Sequence, residues 1–252
     1  MSAAYRACVL VPTYDNPATI RTVVESARRH VDDVVVVDDG SGPEGRRAVE
    51  ELARLSLAHV VHRPQNGGKG AAVKTGFLAA RELGCTHALQ VDADGQHDAG
   101  DIPRFLEASR AAPQVLVLGT PVFDESAPRT RLIGRKITQF WTNLETFGRV
   151  VHDPMCGFRV YPLDAAIAAR ARGNAMDFDP EIAVRLCWAG VPVLNIPTRV
   201  RYVSAADGGV SHFRMGKDNV LISWMHTRMV FGAIARLPWR IGARSRQWLM
   251  RP

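Results

Sequence analysis

The sequence predicts an α/β fold: a mostly parallel, Rossmann-like sheet flanked by helices, with a basic amphipathic helix at the C-terminal end. Three observations carry this expectation. Short β-branched runs alternate with helical segments through the first half. The strand runs are continuously apolar, Val34-Val35-Val36-Val37 above all, as strands covered on both faces must be. Polar residues collect just past the carboxyl ends of those runs, the edge at which open α/β sheets bind ligands.

The elements follow in order. Strands are expected at 7–11, 34–38, 58–62, 87–91 and 115–119, and helices at 17–30, 44–55, 70–83 and 102–111. The first helix opens on Pro17, and the last of the four has Asp101 ahead of Ile102-Pro103 as its start signal. The second half is less regular. A basic helix is expected at 127–147, a further helix near 179–189, strands near 193–196 and 199–203, a Gly-rich loop at 205–216, and a last helix from about Lys217 to Arg236. No repeat or long linker divides the chain of 252 residues. One domain over 1–216 is expected, in two halves of about 1–125 and 126–216, followed by an extension over 217–252.

Charge is unevenly spread. Residues 1–125 hold 13 Lys/Arg against 17 Asp/Glu, whereas 126–252 hold 19 against 8. The basic half therefore suits phosphates or an anionic surface. Cys8, Cys85, Cys156 and Cys187 form no metal-ligand or CxxC spacing and suit a reducing compartment. Neither a signal-peptide pattern nor an apolar run of membrane-spanning length is evident, so a cytoplasmic protein is expected. The tail after Asp218 has no acid and interleaves Arg228, Arg236, Arg240, Arg244, Arg246 and Arg251 with Trp224, Trp239 and Trp248. That pattern fits a helix at an anionic membrane interface better than a solvated helix end. With no recognition motif, it argues against nucleic acid.

Four polar loops follow the strand runs, at Pro12-Thr13-Tyr14, Asp38-Asp39-Gly40-Ser41, Asn66-Gly67-Gly68-Lys69-Gly70 and Asp92 to His97, and these with two later segments carry the candidate chemistry. Asp92-Ala93-Asp94 ends an apolar strand, and side chains at i and i+2 of an extended chain point the same way. The two carboxylates can share a hard cation such as Mg2+ or Mn2+. The plain alternative is an acidic loop ahead of the next helix. Asp38-Asp39-Gly40-Ser41 is either a simple turn or a polar floor for a nucleoside. Asn66-Gly67-Gly68-Lys69-Gly70 lacks P-loop spacing; it is either a turn or a phosphate cradle in which Lys69 neutralises charge. Asp177-Phe178-Asp179-Pro180-Glu181 is either a plain helix start with Pro at its first position or one that also presents Asp179 to a cleft as a general base. His212 and Arg214, in the Gly-rich loop, are candidates for a third metal ligand and for leaving-group stabilisation.

In this order, VLVPTYDN, VVVVDDGS, NGGKGAAVKTG, LQVDADGQHD, DPMCGFRVYP and FDPEIAVRLCWAG make the chain resemble family 2 glycosyltransferases of the GT-A fold. The resemblance is to the branch holding dolichol-phosphate mannosyltransferase and bacterial polyprenyl-phosphate or lipid glycosyltransferases, and covers about residues 7–215. It implies that Pro12, Tyr14 and Asp39 line the nucleoside pocket, with Asp38 and Ser41 in support and Lys69 near the nucleotide. It makes Asp92 and Asp94 the D-x-D pair, with Asp94 most directly on the metal and Gln96 in its shell. Gly157-Phe158-Arg159 would shape the acceptor side, and Arg129, Arg131 and Arg135 would hold an anionic head group. Phe178 stands where many relatives carry Glu, and Gly119-Thr120-Pro121 replaces the common Gly-Ser-Arg.

The resemblance implies an inverting, Mg2+- or Mn2+-dependent transfer from a UDP- or GDP-linked sugar to a lipid-linked acceptor. The enzyme would be peripheral on the inner face of the cell membrane. A hydroxyl acceptor would need a base such as Asp179; a lipid phosphate, already ionised, would not. The rivals are a soluble transferase with a glycan or small hydroxylated acceptor, and a non-catalytic nucleotide-sugar or lipid-binding scaffold.

Overall fold

The computed structural model describes residues 4–123, 129–148, 150–201 and 213–249; the Arg129 side chain and those beyond Leu237 lie outside that description. The chain runs β1 (Ala7–Thr13), α1 (Ile20–Arg28), β2 (Val34–Asp38), α2 (Pro43–Arg54), β3 (His59–His62), α3 (Lys69–Glu82), β4 (His87–Gln90) and α4 (Ile102–Ala111). It continues with β5 (Leu116–Phe123), α5 (Arg129–Glu145), β6 (Arg159–Pro162), α6 (Leu163–Ala168), α7 (Phe178–Trp188), β7 (Val193–Val200) and α8 (Met215–Leu249).

Among the described residues the sheet has the order β3-β2-β1-β4-β6-β5-β7. β1 pairs in parallel with β2 and β4, and β5 in parallel with β7. β6 runs antiparallel between β4 and β5. The order steps outward from β1 through β2 to β3, then restarts on the other side of β1 with β4. That reversal opens a crevice at the carboxyl ends of β1 and β4, where Pro12–Asn16 and Asp92–Gln96 emerge.

Both sheet faces are covered, which explains the unbroken valines of β2. One apolar layer joins Leu10, Val35 and Val37 to Phe77 of α3 and Phe178 and Ile182 of α7. The other joins Val9, Val11, Val34 and Val36 to Val24, Leu52 and Phe105 on α1, α2 and α4. A third cluster seats Ile222, Met225 and Met229 of α8 against Val184 of α7, so the first half of the last helix is packed onto the domain.

The expected strands at 193–196 and 199–203 are one strand, β7. Pro197 interrupts no ladder because β7, among the described residues, lies at the sheet edge and makes its ladder with β5, with one isolated bridge from Val200 to His97. β6 and α6 were not foreseen. Arg159 breaks the apolar run of β6 and reads as loop, although the guanidinium is fully buried.

Candidate active site

The four loops meet. One cavity of about 1540 Å³ is lined by Pro12 and Tyr14, Asp39, Gly67 to Lys69, Asp92 to Asp94, Gln96, His97 and Asp179, and extends between α5 and α8. That exceeds the usual small-ligand pocket, so two substrates have room.

Asp92 and Asp94 leave the end of β4 together. The Val91 N–H continues the strand by donating to the Leu10 carbonyl, the Thr19 hydroxyl donates to the Ala93 carbonyl at 2.6 Å, and the Gln96 N–H closes onto Asp94 Oδ1 at 3.0 Å. Gly95 turns the chain with φ +72°. Burial, and then the neighbouring charge of Asp92, push the Asp94 carboxyl up to about 6; Arg131 is close enough to act the other way. Burial would also raise Asp92, but Lys69 and His97 hold it below the ordinary carboxylate range. A buried acid pair whose charges oppose each other is a hard-oxygen donor set suited to a divalent cation. Among the described residues no cluster of three His, Cys, Asp or Glu side chains forms a metal site. The pair would thus hold a cation together with ligand oxygens. His212 lies outside the described residues.

Lys69, the first residue of α3, places its Nζ 2.7 Å from Asp92 Oδ1 and 2.9 Å from Asp179 Oδ2. Burial would lower its pKa, yet the two carboxylates raise it well above the usual lysine value. Asp179 is held further by Gln90 Nε2, at 3.4 Å from Oδ1, and Tyr161 donates to Gln90 in turn at 3.3 Å. The carboxylate proposed as a free base is thus an ion-paired, nearly buried one.

Two N–H groups of the glycine loop are engaged within the fold. Gly67 and Gly68 donate to Asp39, which also pairs with Arg63. Asp39 lines the cavity, whereas Asp38 and Ser41 do not. Asp38 accepts from the Ser41 N–H and His62, both at 2.9 Å, and the Ser41 hydroxyl accepts from the Asp15 N–H. These two residues shape the loops under the pocket.

Arg159 is a correction. It is wholly buried and outside the cavity, spending its guanidinium on the carbonyls of Cys156, Asp179 and Pro154. Its carbonyl partners lie inside the fold, so it braces the Asp153–Phe158 loop against α7 and has no face toward an acceptor. Arg131, Arg135 and Arg214 do line the cavity, although Arg135 is also paired with Asp153 at 2.7 Å. The Arg129 side chain is outside the description.

Sequence reasoning assigned no role to His97, Gln90, Arg63 or Tyr161. His97 lies 3.9 Å from Asp92, and burial pushes its pKa down to about 4 despite that carboxylate. Its position inside the LQVDADGQHD block was a usable signal. Gln90, Tyr161 and Arg63 meet the site only through the folded chain. Gly157 is a different case: a Cβ there would overlap the Asp92 carboxylate.

A parallel-sheet crevice carrying a carboxylate pair over a two-substrate cavity is the frame of a nucleotide-using transferase. The chain belongs to glycosyl transferase family 2, whose model matches residues 8–167, and it is a glycosyltransferase. It is 30% identical over 204 residues to polyprenol monophosphomannose synthase of Mycolicibacterium smegmatis, covering 76% of each chain. It is 28% identical to undecaprenyl-phosphate mannosyltransferase of Micrococcus luteus, over 76% of this chain and 82% of the relative. Glucosyl-3-phosphoglycerate synthase from Mycobacterium tuberculosis, solved with UDP, superposes with a TM-score of 0.68 at 17% identity. That match covers 92% of this chain and 80% of the other, and shows the GT-A fold. The same synthase was also solved with Mn2+, UDP and glucosyl-3-phosphoglycerate.

Proposed function

We propose that the protein transfers a sugar, with inversion, from a UDP- or GDP-sugar to a lipid phosphate at a membrane surface, with Mg2+ or Mn2+ bound at Asp92 and Asp94. The observation that carries this reading is the shape of the cavity. One part holds the carboxylates and Lys69; the part between α5 and α8 offers Ile133, Ile137, Trp141, Ile222, Val230 and Phe231, interspersed with polar groups such as Thr138, Ser223 and Thr227. A charged head group and an apolar chain have separate places in one continuous space. The names of the two lipid-phosphate mannosyltransferase relatives support the same acceptor class.

The divalent cation, when bound, supplies Lewis acidity to the leaving diphosphate. Pro12, Tyr14 and Asp39 border the nucleoside end, and Asp92 and Asp94 would hold the cation. Arg131 and Arg214 line the route of an anionic acceptor. An acceptor phosphate is largely ionised at neutral pH, since its second pKa is about 6. No base is needed for it, which agrees with an Asp179 already committed to Lys69 and Gln90. A hydroxyl acceptor would have to recruit that committed carboxylate.

Membrane contact belongs to the same reading. α5 exposes Ile133, Ile137, Phe140 and Leu144 along one stripe, and α8 exposes Val220, Trp224, Phe231 and Ile234. With the basic residues of both helices, these faces fit an anionic bilayer on the cytoplasmic side. Among the described residues no helix is long and apolar enough to cross a membrane.

The test offers labelled UDP- and GDP-sugars with Mn2+ to the protein together with a short polyprenyl phosphate, the matching polyprenol, or phosphoglycerate. Label moving into the organic phase only with the polyprenyl phosphate is the expected result. Transfer to the polyprenol or to phosphoglycerate instead would overturn the lipid-phosphate reading.

A further inference from the structure

Lys69 sits where two demands collide. Its ammonium bridges Asp92 and Asp179, yet Asp92 is one of the two carboxylates offered to the cation of the donor site. The backbone around it is pinned. A Cβ on Gly68 would overlap the Asn174 carbonyl and one on Gly70 would overlap Phe178, so the start of α3 is pressed against the segment that opens α7. The Ala71 N–H donates to the Asn174 carbonyl at 3.0 Å, which fixes the same contact. Any change of partner by Lys69 is therefore a swing of its four-carbon stem, with Cα fixed. Asp179 is pinned as well: Gln90 holds Oδ1, and Arg159 holds its backbone carbonyl at 2.9 Å. Asp92 lies just past the end of β4 and beside Asp94; it lines the cavity, as Asp179 does, but carries no such second tether among the described residues.

Charge gives the direction. Asp92, Asp94 and Asp179 gather around the one ammonium of Lys69, with Arg131 acting on Asp94 from α5, so Lys69 alone does not neutralise the three carboxylates before any ligand arrives. A divalent cation between Asp92 and Asp94 satisfies that excess, and an ammonium left 2.7 Å from Asp92 would then repel it. The diphosphate that accompanies the cation supplies new anionic oxygens for the displaced ammonium.

We propose that Lys69 is an exchangeable internal cation. In the free protein it clamps Asp92 to Asp179. On donor binding it yields Asp92 to the metal and turns onto the donor diphosphate, keeping Asp179 as its pivot. Asp179 is then a positioning residue for Lys69 and not a proton acceptor. This rests on the donor-site reading above and adds to it an order of partners.

The clamp makes opposite predictions for two ligands. Lys69→Met frees Asp92, so the variant should bind Mn2+ alone about tenfold more tightly than the unaltered protein. It should bind UDP and GDP, in saturating Mn2+, about tenfold more weakly, each factor corresponding to one charge-assisted contact. Asp179→Asn loosens the pivot and should weaken nucleotide binding, whereas loss of a general base would leave nucleotide affinity unchanged. Mn2+ affinity is read by electron paramagnetic resonance and nucleotide affinity by calorimetry, on the full chain. A merely structural lysine would not shift the two affinities in opposite directions. Lys69→Gln, which hydrogen-bonds to both carboxylates, replaces Lys69→Met if a thermal melt shows the latter unfolded.

Unchanged Mn2+ affinity in the variant, or both affinities moving the same way, would overturn the proposal. If the unaltered protein binds neither UDP nor GDP, the donor-site reading fails; the comparison with Mn2+ alone still decides the clamp.

Discussion

Gly157 shows how closely the site is built at single residues. The Asp92 carboxylate lies where its Cβ would be, so Gly157→Ala must push that carboxylate aside. The backbone φ there is not the left-handed kind, and the fold should survive. We expect a normal melting temperature, and kcat/KM lowered by about 100-fold through misplacement of the donor. Retained activity would mean that Asp92 does not hold the donor. Arg159 has the opposite profile. Its guanidinium satisfies three backbone carbonyls in the interior, so Arg159→Ala should cost about 3 kcal/mol or more in urea denaturation. A residue that merely contacted an acceptor would alter KM and leave stability alone.

At the scale of elements, polar links set the position of α8. His226 Nδ1 lies 2.7 Å from Glu145 Oε1, both buried, and joins α8 to the end of α5. The Trp188 indole donates to the Glu145 carbonyl and ties α7 to the same point. Glu145→Ala would strand His226 in the interior; we expect a loss of about 2 kcal/mol and faster proteolysis within α8. Glu181 anchors the start of α7. Burial would raise its pKa, but the Arg172 and Gly173 N–H groups and the Arg185 guanidinium hold it below the usual glutamate value. A depressed folded-state value means that its stabilisation is complete above the unfolded pKa, about 4.3, and fades as pH falls below it. The urea midpoint should therefore decline in that acid range, and Glu181→Gln should flatten the decline.

For the whole molecule, the apolar stripes of α5 and α8 reach one cavity, through Ile133 and Ile137 of the first and Phe231 of the second. If they meet a bilayer, the protein should sediment with anionic vesicles, less so with neutral ones, and less at high salt. The triple variant Phe140→Ala, Trp224→Ala, Phe231→Ala removes large exposed side chains without touching the core. Binding should weaken by at least about 100-fold, because each buried aromatic contributes about 2 kcal/mol. Sedimentation unaffected by the triple change would refute the membrane face.

Much of this architecture was legible before folding. The alternation of apolar runs with helices, and the placing of polar loops after those runs, follow from local periodicity and from the need to bury both sheet faces. Asp39, Lys69, Asp92 and Asp94 could be picked out because they sit at strand and helix ends. What the linear order could not express is pairing across the chain. β6 enters the sheet antiparallel, as a strand with a charged residue whose partners are distant carbonyls. Asp39 accepts from the Gly67 and Gly68 N–H groups of the glycine loop. Asp179 meets Lys69, more than a hundred residues away, an ion pair that no local pattern at the start of α7 expresses. Residue types and their periods fix which groups line an edge; whether a buried polar group faces a ligand or another residue depends on which distant partner reaches it first in the packed fold.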